Sequence, residues 1–338
     1  MNRAMPEEKP LTSRQLAALL GVSQSAVSRA FTPGSSISPD MRERILSGAR
    51  DYGYQPNAIA SMLTTRRTNI VGIVVSDMRN PFYPHLIEKL TQALQRVGLQ
   101  SLLFNVTPGA SSEEQLVAIR TYNVDAVVVI SATVLTTNSL AWATKGRRAL
   151  LINRIGEEDF PAICIDNAVG ARELVDHLYD QGHRRIAYVA GFTNSGIGRA
   201  RYGAFATRLA ERGMRLAGMS TREEYSYHAG RECTREVIAS GPDAIFFASD
   251  VLALGGMDLL KEEGLADRIG VVGFDDIPMA GWPSYSLTTY RQPVDDIVRT
   301  AVRLLTEEAA GPAQLHSLKG ELVVRQSSRG NSADQTPD

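Results

Sequence analysis

The sequence predicts a mixed α/β protein in which an all-α helix-turn-helix headpiece and a short linking helix precede two lobes, each built on a doubly wound parallel sheet. Two observations predict this class. Near the N-terminus, two short helical patterns flank Gly21, and a third follows shortly after. From Asn69 onward, short runs of β-branched residues alternate with helical stretches, which is typical of βα units.

The first helical pattern begins at Thr12, whose side chain can form a capping box with Gln15, and ends at Gly21. Ser23 then caps a second helix that turns its apolar residues inward. An outward face of small polar groups and one arginine suits the major groove of DNA, where side chains must approach base edges. The same spacing is also compatible with an ordinary α-hairpin that has a solvated polar face. The outward residues are Ser23, Gln24, Ser25, Ser28 and Arg29.

The segment Ser38-Pro39-Asp40 is a helix start, because it offers a cap, a proline in the first turn and an acid near the positive end of the helix dipole. The helix that it opens should share a core with the first two. Residues 57–68 follow, and Asn57 could cap about two turns of helix there, which is too short to be stable alone in water.

Together these motifs resemble the headpiece of the LacI family of bacterial transcription regulators, over residues 11–67. The resemblance rests on Gly21-Val22-Ser23, Val27-Ser28-Arg29 and Tyr54-x-Pro56-Asn57. It implies that Gln24, Ser25 and Arg29 read bases, and that Ala60 and Leu63 lie on a hinge helix in the minor groove, with Leu63 as an apolar wedge. Alternatively, Leu63 anchors a linker to the body. The sequence departs from the family pattern at Ala26 and Thr32. We therefore expect DNA contacts from Ser23, Gln24, Ser25, Ser28, Arg29, Asn57, Ala60 and Leu63.

The charge distribution supports a division of the chain near residue 68. The first 68 residues carry nine Lys and Arg against five acids, although the 338-residue chain as a whole has 36 bases and 37 acids. A basic head on an acidic body is expected of a protein whose smaller part alone contacts phosphates. The first ten residues are polar and no apolar run approaches membrane-spanning length, so we expect a cytoplasmic protein without membrane contact.

The remainder of the chain reads as two successive βα series. We expect their sheets to form two lobes with a cleft at the carboxyl ends of the strands, where α/β proteins bind ligands. The predicted strands are 70–75, 101–104, 126–130, 149–153, 186–190, 244–248 and 271–274, and the predicted helices are 83–97, 113–122, 169–181, 201–212, 230–240 and 251–263.

This body resembles the effector domain of the same family, which is of the periplasmic-binding-protein type I. The resemblance is carried by Asn80-Pro81-Phe82-Tyr83, Ile165-Asp166-Asn167, Arg201-x-Gly203-x-Phe205, Ala248-Ser249-Asp250, Gly273-Phe274-Asp275-Asp276 and Tyr290-Arg291-Gln292-Pro293. It implies an extension at 1–10, a headpiece at 11–56, a hinge at 57–68 and an effector and dimerisation domain at 69–330. Lobe 1 would comprise about 69–164 and 292–320, lobe 2 about 165–291 and 321–330, with a tail at 331–338.

Several of these motifs fall just after predicted strands and are candidate effector contacts. Of the two rings that follow Asn80, one is expected to pack into the core. Arg201 offers a planar donor fork for hydroxyls, a carboxylate or a phosphate, or else pairs with a neighbouring acid. Asp275 ends a strand and can accept from ligand hydroxyls, whereas Asp276 could cap the next turn. The full set is Asn80, Phe82, Tyr83, Arg201, Tyr225, Ser249, Asp275 and Gln292. Sugar-binding relatives often carry a longer amide at the Ser249 position, which implies a larger or acidic ligand here.

Enzymatic motifs are missing from the sequence. There is no Walker loop, no Gly-x-Ser-x-Gly elbow and no His-Glu-x-x-His, and neither Cys164 nor Cys233 has metal-ligand spacing. We therefore expect no catalytic residue, metal or cofactor. The sequence predicts a homodimeric repressor that binds pseudo-palindromic operator DNA under the control of a small, carbohydrate-related effector. The alternatives are a solute-binding module, a purine-type corepressor sensor and a sugar-processing enzyme.

Overall fold

The computed structural model describes residues 11–32, 34–56, 67–76, 78–106, 117, 119–130, 141, 145, 147–154, 160–307 and 314–329. The chain divides into two compact units, Met1–Thr68 and Asn69–Asp338. The expectations for the N-terminal extension, for the hinge residues Asn57, Ala60 and Leu63, for most of the helix at 113–122 and for the C-terminal tail lie outside the described residues.

Over residues 11–32 and 34–56, the first unit forms three short helices, α1 (Ser13–Leu20), α2 (Gln24–Ala30) and α3 (Pro39–Asp51). The expected capping box opens α1, since the Thr12 hydroxyl accepts from the Gln15 backbone N–H at 3.3 Å and the Gln15 Oε1 accepts from the Thr12 N–H at 2.9 Å. Gly21 ends the helix in the left-handed conformation. The three helices share a core that consists of Leu16, Ala17, Val27, Ala30, Ile45 and Ala49. The helix-turn-helix prediction is therefore confirmed.

Where it is described, the second unit alternates strands and helices as predicted. Its elements are β1 (Ile70–Val75), α4 (Phe82–Arg96), β2 (Gln100–Asn105), β3 (Ala126–Ile130), β4 (Arg148–Ile152), β5 (Ala162–Ile165), α5 (Asn167–Asp180), β6 (Arg185–Ala190), α6 (Gly196–Glu211), β7 (Arg215–Thr221), α7 (Tyr227–Val237), β8 (Ala244–Phe247), α8 (Asp250–Glu262), β9 (Gly270–Asp275), β10 (Thr288–Arg291), α9 (Val294–Thr306), β11 (Leu315–Leu318) and β12 (Glu321–Val323). Short 3₁₀ turns occupy Ile238–Ser240 and Pro278–Gly281.

The strands form two sheets, which define the two lobes. Within the described residues the lobe 1 sheet has the order β11-β5-β4-β3-β1-β2 and is parallel throughout. The lobe 2 sheet has the order β12-β10-β9-β8-β6-β7 and is parallel except for β12, which runs antiparallel to β10. The chain passes between the sheets after β5, after β10 and after β11. The two lobes are thus joined by three connections.

The strand order determines where a ligand can bind. In lobe 1 the chain moves outward from β1 to β2 and returns to β3, and in lobe 2 it moves from β6 to β7 and returns to β8. Right-handed crossovers therefore place successive helices on opposite faces of each sheet. A crevice opens at the carboxyl ends of the strands where the order reverses. Within the part of the chain that is described, no helix is long and apolar enough to cross a membrane.

Candidate functional site

A cavity of about 500 Å³ lies between the two lobes of the second unit, at the carboxyl ends of strands from both sheets. This volume is within the range typical of small-molecule sites. Polar and charged side chains dominate its walls. They are joined by three aromatic rings, and the residues that line the cavity are Asn80, Tyr83, Asn153, Arg154, Phe192, Asn194, Ser195, Gly196, Ile197, Arg199, Arg201, Glu223, Tyr225, Ser249, Asp275 and Gln292.

Asp275 occupies the floor of this cavity, at the end of β9. Its carboxylate accepts from the Asn80 amide at 3.3 Å and from the Gln292 amide at 2.6 Å. Asn80 follows β1 of lobe 1, so the first of these bonds joins the lobes directly. Burial raises the pKa of Asp275, while the charge of Arg201 and the two amide donors oppose that rise.

The backbone turns sharply where two of the cavity residues leave their strands. Asp275 has φ 122°, Asp276 has φ 55°, and Asn153, which follows β4, has φ 54°. Such angles are unfavourable for residues other than glycine, and they are found where the surrounding structure imposes them, often at functional sites. Here they place an acid and an amide in the cavity.

Asp250 lies behind Asp275 at the start of α8 and is fully buried. Its two carboxyl oxygens accept from the Thr289 hydroxyl at 2.6 Å and from the Ile277 backbone N–H at 2.9 Å. Burial raises the pKa of Asp250, and the negative charge of Asp275 raises it further. Because burial and the charge of Asp275 both disfavour the ionised form of Asp250, Asp250 retains its proton to higher pH than an exposed aspartate.

Arg201 extends from α6 into the cavity and is buried among lobe 2 residues. Its Nε and Nη2 donate to the Asn167 Oδ1 at 3.2 and 2.8 Å, its Nη1 donates to the Ala248 carbonyl, and its guanidinium lies 3.5 Å from the centroid of the Phe274 ring. No carboxylate of the described residues is within ion-pair distance, so the alternative of a salt bridge is wrong. Since a guanidinium has five N–H groups, two remain for a ligand.

Aromatic rings line two walls of the cavity, and Phe82, which was also predicted to contact the effector, does not line it. Tyr225 and Phe192 meet edge to face at 5.5 Å between centroids. Tyr83 lines the opposite lobe 1 wall, whereas Phe82 is buried in the lobe 1 core and does not line this cavity. Phe82 instead lines an adjacent cavity together with Asp275 and Gln292, and its ring packs against that of Tyr83 at 5.4 Å, so its contact with an effector stays a prediction.

Two buried polar atoms in the cavity wall have no hydrogen-bond partner among the described residues, the Ser249 Oγ and the Asn153 Oδ1. The Asn153 amide nitrogen donates to the Gln292 Oε1 at 3.3 Å, which leaves its oxygen available. Buried polar groups without partners are rare and costly, so each requires an explanation. Their position in a cavity wall points to groups that a ligand would satisfy.

Of the predicted effector residues, the structure therefore brings together Asn80, Tyr83, Arg201, Tyr225, Ser249, Asp275 and Gln292. Sequence reasoning missed the remaining wall. Three of the missed residues follow strands, Asn153 after β4, Phe192 after β6 and Glu223 after β7, and others lie at the start of α6. For those three residues, the position just after a strand is the sequence signal that could have predicted them. Asp276 does not cap a turn, because its carboxylate pairs with Arg291 at 2.6 Å and Arg325 at 2.7 Å.

On the headpiece, the five described residues predicted to contact DNA are all exposed on or beside α2. The Ser23 hydroxyl accepts from the Ala26 N–H at 3.1 Å and lies 3.0 Å from that of Ser25, while Gln24 donates to Ser13 at 3.1 Å. Ser28 adds an exposed hydroxyl. Arg29 is exposed, and its guanidinium has no hydrogen bond or ion pair with another described residue, so its whole donor fork is available to an external partner. Asn57, Ala60 and Leu63 lie outside the described residues.

Within the described ranges, no group of three or more His, Cys, Asp or Glu side chains is arranged to hold a metal ion. His183 is buried, with its Nε2 3.2 Å from the Ser328 carbonyl. Its contacts are those of a structural side chain.

Comparison with known proteins finds similarity to transcriptional regulators along nearly the whole chain. The model of the periplasmic binding protein-like domain matches residues 175–328. The HTH-type transcriptional regulator CelR of Thermobifida fusca is 29% identical over 344 residues, which cover 96% of this chain and 100% of that protein. A solved transcriptional regulator CelR–cellobiose complex is 28% identical, with a TM-score of 0.69 over 94% of this chain and 99% of that chain.

The fold is also that of the Lac repressor dimer solved bound to operator and the anti-inducer ONPF. That structure gives a TM-score of 0.82 over 95% of this chain and 100% of that chain, at 23% identity. The similarity to known regulators therefore runs from the helix-turn-helix through both lobes and is not limited to one domain. Together with the headpiece and the cavity described above, the comparisons show a chain that is similar over nearly its whole length to HTH-type transcriptional regulators, with a periplasmic binding protein-like domain in its second unit.

Proposed function

We propose that this protein is a homodimeric repressor that binds pseudo-palindromic operator DNA and whose DNA affinity is controlled by a small polyhydroxylated ligand in the interlobe cavity. One observation carries the proposal: a chain with an exposed helix-turn-helix also has a polar cavity in which Asn80 of one lobe binds Asp275 of the other. A ligand that enters there must change the contacts between the lobes. Its binding energy is therefore coupled to lobe closure.

The polar groups of the cavity suit a sugar or a sugar derivative. Asp275 and the Asn153 Oδ1 accept from hydroxyls, Arg201 and Ser249 donate, and Tyr83 and Tyr225 provide rings for the apolar face of a sugar ring. The similar CelR was solved with cellobiose. These features favour a carbohydrate over a purine.

The short recognition helix is the reason to propose a dimer. One recognition helix covers only a few base pairs, and pairing two of them on a twofold axis gives operator-grade affinity. The similar Lac repressor was solved as a dimer on operator. Binding to the chromosome also implies a cytoplasmic protein that is associated with the nucleoid.

The test begins with the full chain and a library of genomic DNA fragments, from which bound sequences are selected and the strongest site is labelled. Arg29→Ala should weaken binding to that site by about 1 to 3 kcal/mol and relax its specificity at the contacted base. Arg50→Ala, which removes an equal charge from α3, is the matched control and should lower affinity uniformly across sequences.

Control by a ligand is tested by adding neutral sugars, sugar acids, sugar phosphates and purines to the complex of protein and labelled DNA. The measurement is whether the DNA is released or is bound more tightly. We expect at least one carbohydrate to change DNA affinity, by about 1 to 3 kcal/mol of coupling. Binding of DNA without sequence preference would reject the repressor and favour a solute-binding module. Turnover of any ligand by the purified chain would reject the non-enzymatic assignment.

A further inference from the structure

Two arginines near the start of α6, Arg199 and Arg201, line the cavity. Two acids, Asp275 and Glu223, line it as well. Both oxygens of Glu223 accept from Thr193, one from its backbone N–H at 3.0 Å and one from its hydroxyl. The carboxylate of Glu223 is thus already hydrogen-bonded to Thr193. Guanidinium groups bind planar anions through paired N–H donors.

The N-terminus of α6 adds to the positive potential. The Ser195 hydroxyl caps it by accepting from the Gly198 N–H at 2.9 Å, and the first turn contains no acidic residue. Gly196 and Ile197, the first two helical residues, line the cavity. Their N–H groups have no acceptor within the helix. A helix start of this kind attracts anions.

Arg199 makes this arrangement unusual. Its Nη1 donates to the Asn194 carbonyl at 2.5 Å, which folds the guanidinium back beside the start of the same helix. A cation at the positive end of a helix dipole is unfavourable by itself, because the two charges have the same sign. An anion bound between the guanidinium and the helix start is attracted by both, and these attractions offset the repulsion.

An independent observation places a donor for a ligand in the same cavity. Ser249 is 1% exposed, and its Oγ has no hydrogen-bond partner among the described residues. It follows Ala248, whose carbonyl accepts from Arg201, and both Ser249 and Arg201 line the cavity. Both have donors left for the oxygens of a ligand.

We propose that the ligand carries a carboxylate or a phosphate in addition to its hydroxyls, with the anionic group at the start of α6 beside Arg199 and the hydroxyls near Asp275. This inference rests on the proposed function, since it specifies the chemical class of the same effector. A sugar acid and a sugar phosphate share the required chemistry. The neutral sugar that matches each of them does not.

The experiment measures the thermal shift and the calorimetric affinity of the full chain for glucose, gluconate, glucose 6-phosphate and a wider set of matched neutral and anionic sugars, with inorganic phosphate as the simplest anion. We expect phosphate and at least one anionic sugar to stabilise the protein, and each active anionic sugar to bind about tenfold more tightly than its neutral counterpart. Raising the salt concentration should weaken this binding.

Arg199→Ala should lower the affinity for anionic ligands about tenfold, and that for neutral sugars by much less. Arg268→Ala, which removes an equal and exposed charge from a distant loop, should change neither. The inference is overturned if neither phosphate nor any anionic sugar stabilises the wild type, or if Arg199→Ala binds the anionic ligand equally well. A neutral sugar that alone binds and alters operator affinity would overturn it and leave the proposed function intact.

Discussion

Arg79 and Glu224 form an ion pair between the lobes, with the Arg79 Nη1 3.1 Å from the Glu224 Oε2. Arg79 follows β1 in lobe 1, and Glu224 precedes α7 in lobe 2. The Ser226 hydroxyl also donates to Glu224 at 2.6 Å, and these contacts lower the pKa of that carboxyl. The pair thus joins the lobes near Tyr225, beside the cavity wall.

Glu224→Gln should weaken the closed arrangement of the lobes and thereby lower ligand affinity. The pair is exposed to solvent, so we expect a loss of only about 0.2 to 1 kcal/mol, which salt should diminish. Isothermal titration at low and high salt measures the effect. Glu262→Gln is the control, because it breaks the Arg231–Glu262 pair within lobe 2. An equal loss in both variants would contradict a role in closure.

Asp250→Asn should alter how stability depends on pH. Burial raises the pKa of Asp250 to about 8, so the folded state binds its proton more tightly than the unfolded chain does. This contribution to stability is complete below the unfolded pKa, near 4, and is lost as pH rises to about 8. The free energy of unfolding of the wild type should therefore fall relative to that of the variant across this range.

The asparagine can keep both hydrogen bonds, since its oxygen accepts from the Ile277 N–H and its amide donates to the Thr289 hydroxyl. Urea unfolding at several pH values gives the two curves. Curves that stay parallel from pH 4 to pH 8 would show that Asp250 titrates normally.

Gly191→Ala should displace Tyr225 from the cavity wall. A Cβ at Gly191 would overlap the outer atoms of the Tyr225 ring, which can rotate away, so we expect stability to change by no more than about 1 kcal/mol while ligand affinity falls. Gly203→Ala is the control. That position lies within α6 with open space around it, so alanine should stabilise the helix by about 0.5 to 1 kcal/mol and leave affinity unchanged. Unchanged affinity in both variants would remove Tyr225 from the site.

Arg201→Lys should reduce ligand affinity although it keeps the charge. One ammonium group cannot bind both the Asn167 Oδ1 and the Ala248 carbonyl and still present two donors to a ligand. We expect a loss of about 1.5 to 3 kcal/mol in calorimetric affinity, the size of a hydrogen bond to a charged group. Arg268→Lys, on an exposed loop, should have no effect. Binding at wild-type strength would place the ligand elsewhere.

Local patterns in the sequence determined much of this protein. The capping box at Thr12, the turn at Gly21 and the cap at Ser23 each involve residues only a few positions apart, so their hydrogen bonds could be read from spacing. The alternation of strands and helices was equally legible, because each element has its own hydrophobic period. Among the candidate ligand contacts, those that directly follow a strand, such as Asn80 and Asp275, were foreseeable for the same reason.

Only the tertiary structure decided which of two adjacent side chains faces the cavity and which partners fill it. Phe82 and Tyr83 are chemically similar neighbours and both rings are buried, but the orientation of α4 against its sheet makes only Tyr83 line the main cavity. The partners of Asp275 and Arg201, which are Asn80 and Asn167, lie far away along the chain. Such contacts depend on how strands from two lobes are brought together, and no local periodicity encodes that arrangement.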